Sequence, residues 1–120
     1  MKIFIFVIIL FAACSTPKAS TPCVENIKFK TEFFRNIKVI DNYFTDVSGV
    51  KTFKEYEVIR TAENVEEFRK SLLYISKYAH VSFESMDNYA RLYPLEIFEQ
   101  DKKGWLKWYE ANKCNNIQPE

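Results

Sequence analysis

One amphipathic stretch decides the fold class of this chain: residues 61–79, TAENVEEFRKSLLYISKYA. Its apolar side chains recur at steps of three and four residues, which places them on one side of an α-helix. They are Val65, Phe68, Leu72, Ile75 and Ala79. Thr61 or Asn64 can cap the start, and Glu67 stands three residues after Asn64, as in a capping box. The stretch therefore predicts a core-facing helix that ends near residues 78–81.

The segments before this helix carry a weaker pattern. Residues 24–44 repeat the helical spacing with Phe29, Phe33, Ile37, Ile40 and Phe44. The turn residues of 45–49 are expected to end that helix. Residues 50–60 fit either a short helix or an edge strand.

A last helix is predicted at the carboxyl end. Residues 82–93 indicate a connection with at most one short helical turn, and Pro94 suits the first helical position. The helix should run to about Asn112. The chain is therefore predicted to be mainly α, a small domain of three to four helices with at most one short strand pair.

The amino terminus predicts an export signal. Lys2 precedes an apolar run that ends at Ala12-Ala13-Cys14, and this run is too short to span a bilayer. Residues 1–13 are therefore expected to be a lipoprotein signal peptide. Phe11-Ala12-Ala13-Cys14 resembles the lipobox of bacterial lipoproteins, which implies that Cys14 is acylated, with palmitate or similar chains, and begins the mature protein. Two or three acyl chains would hold the protein at a membrane.

The residues after Cys14 indicate a tether. Residues 14–22 are rich in Ser, Thr and Pro and lack apolar periodicity, so they form a lipidated, extended tether in front of a single helical domain at 23–120. Ser15 stands where an aspartate would resemble an inner-membrane retention signal. The expected location is the cell envelope, at the outer membrane, facing the periplasm.

Two further cysteines bracket the domain. Cys23 and Cys114 allow one intramolecular pairing, and an exported chain lives where disulfides persist. A disulfide that closes a loop of this length would add roughly 4 kcal/mol of stability in the chain-entropy model. A redox or metal pair is the alternative, but no second Cys lies two residues from either one.

The charge balance excludes one class of partner. Without Lys2, the 17 Lys and Arg become 16, equal to the 16 Asp and Glu. A chain of net charge near zero, with no clustered basic face in its sequence, is not expected to bind nucleic acid.

The last predicted helix carries a mixed aromatic stripe with a carboxylate. Its members share one side at steps of three and four: Phe98, Asp101, Trp105, Trp108 and Asn112, with Tyr109 beside them. Asp101 could accept a hydrogen bond from an indole N–H of its own helix or from backbone donors of a neighbour. The expected role is core packing with a satisfied polar group. The alternative is an aromatic surface that binds sugar or peptide.

The carboxyl-terminal motif also resembles a known group of proteins. Asn88-Tyr89, Tyr93-Pro94, Asp101, Trp105, Trp108-Tyr109 and Asn112-Lys113-Cys114 resemble the ending of small, mostly uncharacterised helical lipoproteins of bacterial envelopes, some of them related to HEAT-like helical-repeat proteins. The resemblance implies a helical lipoprotein. It implies no activity, because such proteins have no catalytic residues to carry over.

No arrangement of residues predicts catalysis. His80 is the only histidine, no serine stands in a G-x-S-x-G turn, and no metal or cofactor motif occurs, so no catalytic residue, metal or cofactor is expected. Charged residues of the last helix indicate a solvated face: Glu96, Glu99, Asp101, Lys102 and Lys103.

The predicted function follows from the lipoprotein signal peptide and the small helical domain. We expect a membrane-tethered, non-enzymatic envelope lipoprotein that binds an envelope protein, a glycan or another ligand. An immunity or inhibitor lipoprotein directed against a toxin or hydrolase is the alternative, and an enzyme with an unrecognised site is the less favoured one.

Overall fold

The order of helices confirms the predicted fold class. A computed structural model describes residues 20–87 and 92–119. Within these residues the chain forms α1 (Ile27–Ser48), α2 (Phe53–Ile59), α3 (Ala62–Ser76) and α4 (Leu95–Asn112), with a 3-10 turn at Phe83–Met86. In the same ranges, β-type pairing is limited to one isolated bridge between Val24 and Asn115. None of the helices described here is long and apolar enough to cross a membrane.

Helix α1 buries the predicted face but has different ends. Phe29, Phe33, Ile37 and Ile40 are all buried, and the Asn26 side chain caps the start by accepting from the Phe29 N–H at 3.0 Å. The predicted turn at residues 45–49 is wrong, because the helix continues to Ser48. Thr45 Oγ1 donates to the Asp41 carbonyl at 2.9 Å, so a turn-forming side chain is instead satisfied inside the helix.

Residues 50–60 form helix α2 rather than an edge strand. A capping box fixes its start: the Thr52 side chain accepts from the Glu55 N–H, and the Glu55 carboxylate accepts from the Thr52 N–H, both at 3.2 Å. The reciprocal bonds satisfy two backbone donors that a short helix would otherwise leave free. No residue of α2 is buried, and Phe53 is 75% exposed.

Helix α3 is capped by Thr61, whose side chain accepts from the Asn64 N–H at 3.2 Å. Asn64 does not cap; its amide donates to the Ile59 carbonyl at 2.7 Å. The helix ends at Ser76, earlier than predicted, although Ala79 beyond it is still buried. Helix α4 ends at Asn112 as predicted, but Pro94 is its N-cap and not its first helical residue.

Helix α1 packs against α3, and its aromatic side chains also contact those of α4. Near the start of α1, Phe29 lies 4.9 Å from Tyr78 and 6.4 Å from Tyr109, measured between ring centroids. Near its end, Phe44 lies 5.9 Å from Phe68 and 4.4 Å from Phe98. Both neighbours therefore run antiparallel to α1.

This packing gives the domain two ends. The disulfide pole holds the start of α1 and the ends of α3 and α4, beside Cys23 and Cys114. The opposite pole holds the end of α1, helix α2 and the starts of α3 and α4.

Candidate functional site

The disulfide pole ties the two ends of the domain together. Cys23 and Cys114 are bonded across 91 residues of sequence, which is the predicted structural pairing. Beside them, the Asn116 N–H donates to the Val24 carbonyl at 3.1 Å. Residues 20–22, the described part of the predicted tether, are exposed and irregular. Residues 20–22 therefore enter the domain at this pole.

A buried tyrosine reinforces the same pole. The Tyr109 hydroxyl donates to the Glu25 carboxylate, and Lys30 forms an ion pair with that carboxylate at 3.2 Å. The hydrogen bond from Tyr109, and after it the one from Lys30, lower the pKa of Glu25. Burial, and then the bond to Glu25, raise the pKa of Tyr109. The first residues of the domain are thus fastened to the end of α4.

The predicted aromatic stripe of α4 packs into the core. Phe98, Trp105 and Tyr109 are at most 2% exposed. Trp108 and Asn112 are half-buried, and the Asn112 amide donates to the Trp108 carbonyl at 2.8 Å. The buried aromatic rings contact other core side chains and offer no open face to a ligand.

Asp101 organises the connection that precedes α4. Its carboxylate accepts from the Ser82 N–H at 2.7 Å, from Ser82 Oγ at 2.8 Å and from the Tyr93 hydroxyl. The indole N–H of Trp105 donates to the His80 carbonyl at 2.6 Å and not to Asp101. Burial, and then the bond to Asp101, raise the pKa of Tyr93. This carboxylate serves the fold by holding a loop against α4.

The predicted solvated face of α4 is only partly correct. Glu96, Glu99 and Lys103 are exposed, but Asp101 is buried as described above. Lys102 passes over the Phe98 ring and forms an ion pair with Asp41 of α1 at 2.6 Å. Its long apolar stem allows it to cover core surface while its ammonium group reaches a carboxylate on the next helix.

His80 lies on the surface near these residues. Its imidazole is exposed and lies 3.3 Å from Ser82 Oγ, whose other contact is the Asp101 carboxylate. In the described ranges, no three His, Cys, Asp or Glu side chains come together as a metal ion would require.

An open cavity lies at the opposite pole. Its volume is about 380 Å³, and its walls come from the end of α1, from α2, from the start of α3 and from residues 92–95. The walls are mostly aromatic and aliphatic. The lining side chains include Tyr43, Phe44, Tyr56, Arg60, Phe68 and Tyr93.

The aromatic walls support one another. Tyr43 stacks on Phe68 with ring centroids 4.4 Å apart, and Phe44 meets Tyr93 edge to face at 5.7 Å. Tyr93 is held in turn by its bond to Asp101. These contacts fix the rings before any ligand arrives, so the aromatic walls outside α2 are preformed.

Arg60 supplies the positive charge of this cavity. Its Nη1 donates to the Tyr56 hydroxyl at 2.8 Å, and its guanidinium carbon lies 5.6 Å from the centre of the Tyr56 ring. Within residues 20–87 and 92–119, no carboxylate lies within ion-pair distance of Arg60. The Tyr43 hydroxyl also interacts with this guanidinium group. A guanidinium group has five N–H donors, so the donors that do not face the two tyrosines remain available.

Sequence reasoning did not find this cavity. Its residues come from four separate segments, and no spacing links Arg60 to Phe68 or Tyr93. Other predicted features, namely Cys14, the signal peptide and Asn88-Tyr89 of the carboxyl-terminal motif, lie outside the described residues.

Comparison of the chain with known protein families, with curated proteins and with solved structures finds no match.

Proposed function

We propose that this chain is a lipid-anchored, non-enzymatic protein of the cell envelope whose helical domain binds a small ligand in the cavity at the opposite pole. The observation that carries the proposal is the position of the cavity. The tether segment enters beside Cys23, whereas the cavity opens around Phe44, at the other end of α1. At 1.5 Å per residue, the stretch from Ile27 to Phe44 separates them by about 26 Å.

The anchoring half of the proposal is supported by the sequence of the amino terminus. Acylation at Cys14 would fix the disulfide pole towards the membrane through the tether of residues 14–22. The cavity would then face away from the bilayer, into the periplasm if the anchor is in the outer membrane. A ligand could enter it without passing the anchor.

The binding half is supported by the form of the cavity. Small-molecule sites are typically concave spaces of about 300 to 1,000 Å³ with mostly apolar walls and a few polar groups. The cavity has a volume of about 380 Å³, aromatic walls and one guanidinium group. The rings of Tyr43 and Phe68 are stacked on each other, so little ordering is needed when a ligand binds.

The test is a titration with the neutral hydrophobic fluorophore N-phenyl-1-naphthylamine. A soluble form that begins at Ser15 retains all described core residues and needs no detergent, which would compete for the cavity. We expect saturable binding of one fluorophore per chain. Val47→Trp should fill the cavity and weaken this binding, because Val47 lines it.

Val58→Trp is the matched control. Val58 lies on α2 but is 68% exposed and is not among the lining residues, so the same substitution there should leave binding unchanged. If the parent shows no saturable binding, or if Val47→Trp binds as the parent does, the cavity is not a ligand site and the proposal is wrong.

A further inference from the structure

We infer that Arg60 makes this cavity selective for amphipathic anions, that is, for small molecules with a carboxylate or phosphate group on an apolar body. The inference rests on the proposed function, because it specifies the ligand class of the same cavity. The observation behind it is a partly buried guanidinium that shares an aromatic cavity and has no carboxylate partner in the described parts of the chain.

The surroundings of Arg60 favour an anion over other polar groups. One donor is used on the Tyr56 hydroxyl, and the Tyr43 hydroxyl also interacts with the guanidinium group, so both tyrosines hold the side chain in place. The remaining donors form a planar fork that suits two oxygens of a carboxylate or phosphate. A ligand oxyanion would supply the negative charge that the described residues do not place beside Arg60.

The remaining walls favour an apolar body on the same molecule. Tyr43, Phe44 and Phe68 line the space that Arg60 also lines, so one ligand can reach both kinds of surface. A small inorganic anion would leave the aromatic walls uncovered, and a neutral hydrocarbon would leave the guanidinium without an anionic partner. An amphipathic anion satisfies both.

Overall charge does not account for such a preference. The chain after residue 13 has equal numbers of basic and acidic residues, so no long-range field draws anions in general. Selectivity would have to arise locally, at Arg60. We infer a free, monomeric ligand and not a lipid within a bilayer, because the cavity lies at the pole away from the tether.

The experiment measures how three amphiphiles of one chain length displace N-phenyl-1-naphthylamine from the soluble form, each below its micelle concentration. They are dodecanoate, dodecanol and dodecylammonium. One added charge-assisted pair of about 1.4 kcal/mol corresponds to a tenfold change in affinity. We therefore expect dodecanoate to bind about tenfold more tightly than dodecanol, and dodecylammonium to bind most weakly.

The variants assign this preference to one side chain. Arg60→Gln should lose the preference for dodecanoate, measured as the ratio of the dodecanoate and dodecanol affinities of the same variant. Arg60→Lys keeps the charge without the fork and should retain part of it, which provides a second test if the first variant folds poorly. Arg69→Gln is the control, since Arg69 is exposed on α3 and does not line the cavity.

Three results would overturn the inference. Equal affinity of the parent for dodecanoate and dodecanol would remove the selectivity while leaving the proposed function intact. If neither the amphiphiles nor the fluorophore bind, the selectivity and the proposed function are both wrong. Arg60-dependent flotation of the soluble form with phosphatidylglycerol vesicles, without binding of free dodecanoate, would assign Arg60 to a bilayer surface instead.

Discussion

Replacing Asp101 with Asn tests whether this carboxylate holds the fold together. Asp101 is 8% exposed and accepts three hydrogen bonds, two from Ser82 and one from Tyr93. The amide oxygen of Asn can accept from the Ser82 N–H and the Tyr93 hydroxyl, and its NH₂ can donate to Ser82 Oγ, because a hydroxyl can accept as well as donate. A hydrogen bond to a charged acceptor contributes about 1.5 to 3 kcal/mol, and a neutral one contributes about 1 kcal/mol.

The loss follows from these magnitudes. Three bonds to a charged acceptor become bonds to a neutral group, at a cost of up to roughly 1 kcal/mol each. Asp101→Asn should therefore lower the free energy of unfolding by about 2 to 3 kcal/mol, a large part of the roughly 5 to 15 kcal/mol of a typical domain. At about 4 to 8 °C for each kcal/mol, the melting temperature should fall by roughly 10 °C or more.

Urea denaturation of the soluble form, followed by circular dichroism and tryptophan fluorescence, measures this loss. Glu99→Gln makes the same chemical change at an exposed position of α4 and should stay within about 0.5 kcal/mol of the parent. If Asp101→Asn is destabilised by less than about 1 kcal/mol, the three bonds do not hold the loop. The structural role assigned to Asp101 would then be refuted.

Three further predictions concern the core, the tyrosines and the anchor. Trp105→Ala should lower the free energy of unfolding, measured by urea denaturation, by about 3 to 5 kcal/mol. Leu106→Ala, on the exposed side of the same helix, should lower it far less. Equal losses would contradict the core assignment. The pKa values of Tyr93 and Tyr109 are raised in the folded state, so the folded chain keeps protons that the unfolded chain releases above a pH of about 10. The free energy of unfolding should stay constant up to that pH and fall above it. Tyr109→Phe should make this fall less steep. A urea midpoint that increases above this pH would contradict the assignment. Cys14→Ser should abolish acyl labelling and release the protein from the membrane fraction, and membrane association that persists in high salt would refute lipidation.

The helix faces were predictable because periodicity reports burial directly. Phe29 and Phe33 in α1, and Leu72 and Ile75 in α3, lie where spacings of three and four place them. The end of α1 was not predictable from composition. Thr45 is a turn former in general, but at an exposed helical position its hydroxyl is satisfied by the carbonyl four residues earlier.

Helix α2 was predictable from its capping box, although the hydrophobic pattern of the segment fits a strand equally well. Thr52 and Glu55 form the T-x-x-E spacing of a capping box, and this spacing favours a helix over a strand. The apolar residues of 56–59 fit both structures, since so short a segment shows neither period clearly. The cap, and not the hydrophobic pattern, therefore decides this segment.

The cavity could not be predicted, for a different reason. Its walls meet only after α1, α3 and α4 have packed, and Tyr93 reaches its place through a bond to Asp101, eight residues further along the chain. Sequence identified Asp101 as a polar group in need of donors. Its donors Ser82 and Tyr93 lie in a connection without periodicity, so no pattern could indicate them.

The distribution of stabilising contacts along the molecule favours binding at the opposite pole. The disulfide pole is closed by a covalent bond, by the Tyr109 bond to Glu25 and by buried aromatic rings. Helix α2 forms one wall of the cavity and has no buried residue, so it depends on its capping box and on few apolar contacts. Segments of this kind open at lower free energy than the core. A ligand between α2 and the stacked rings of Tyr43 and Phe68 would bury apolar surface on a helix that otherwise buries little. Binding would therefore stabilise α2, the least buried helix among the described residues.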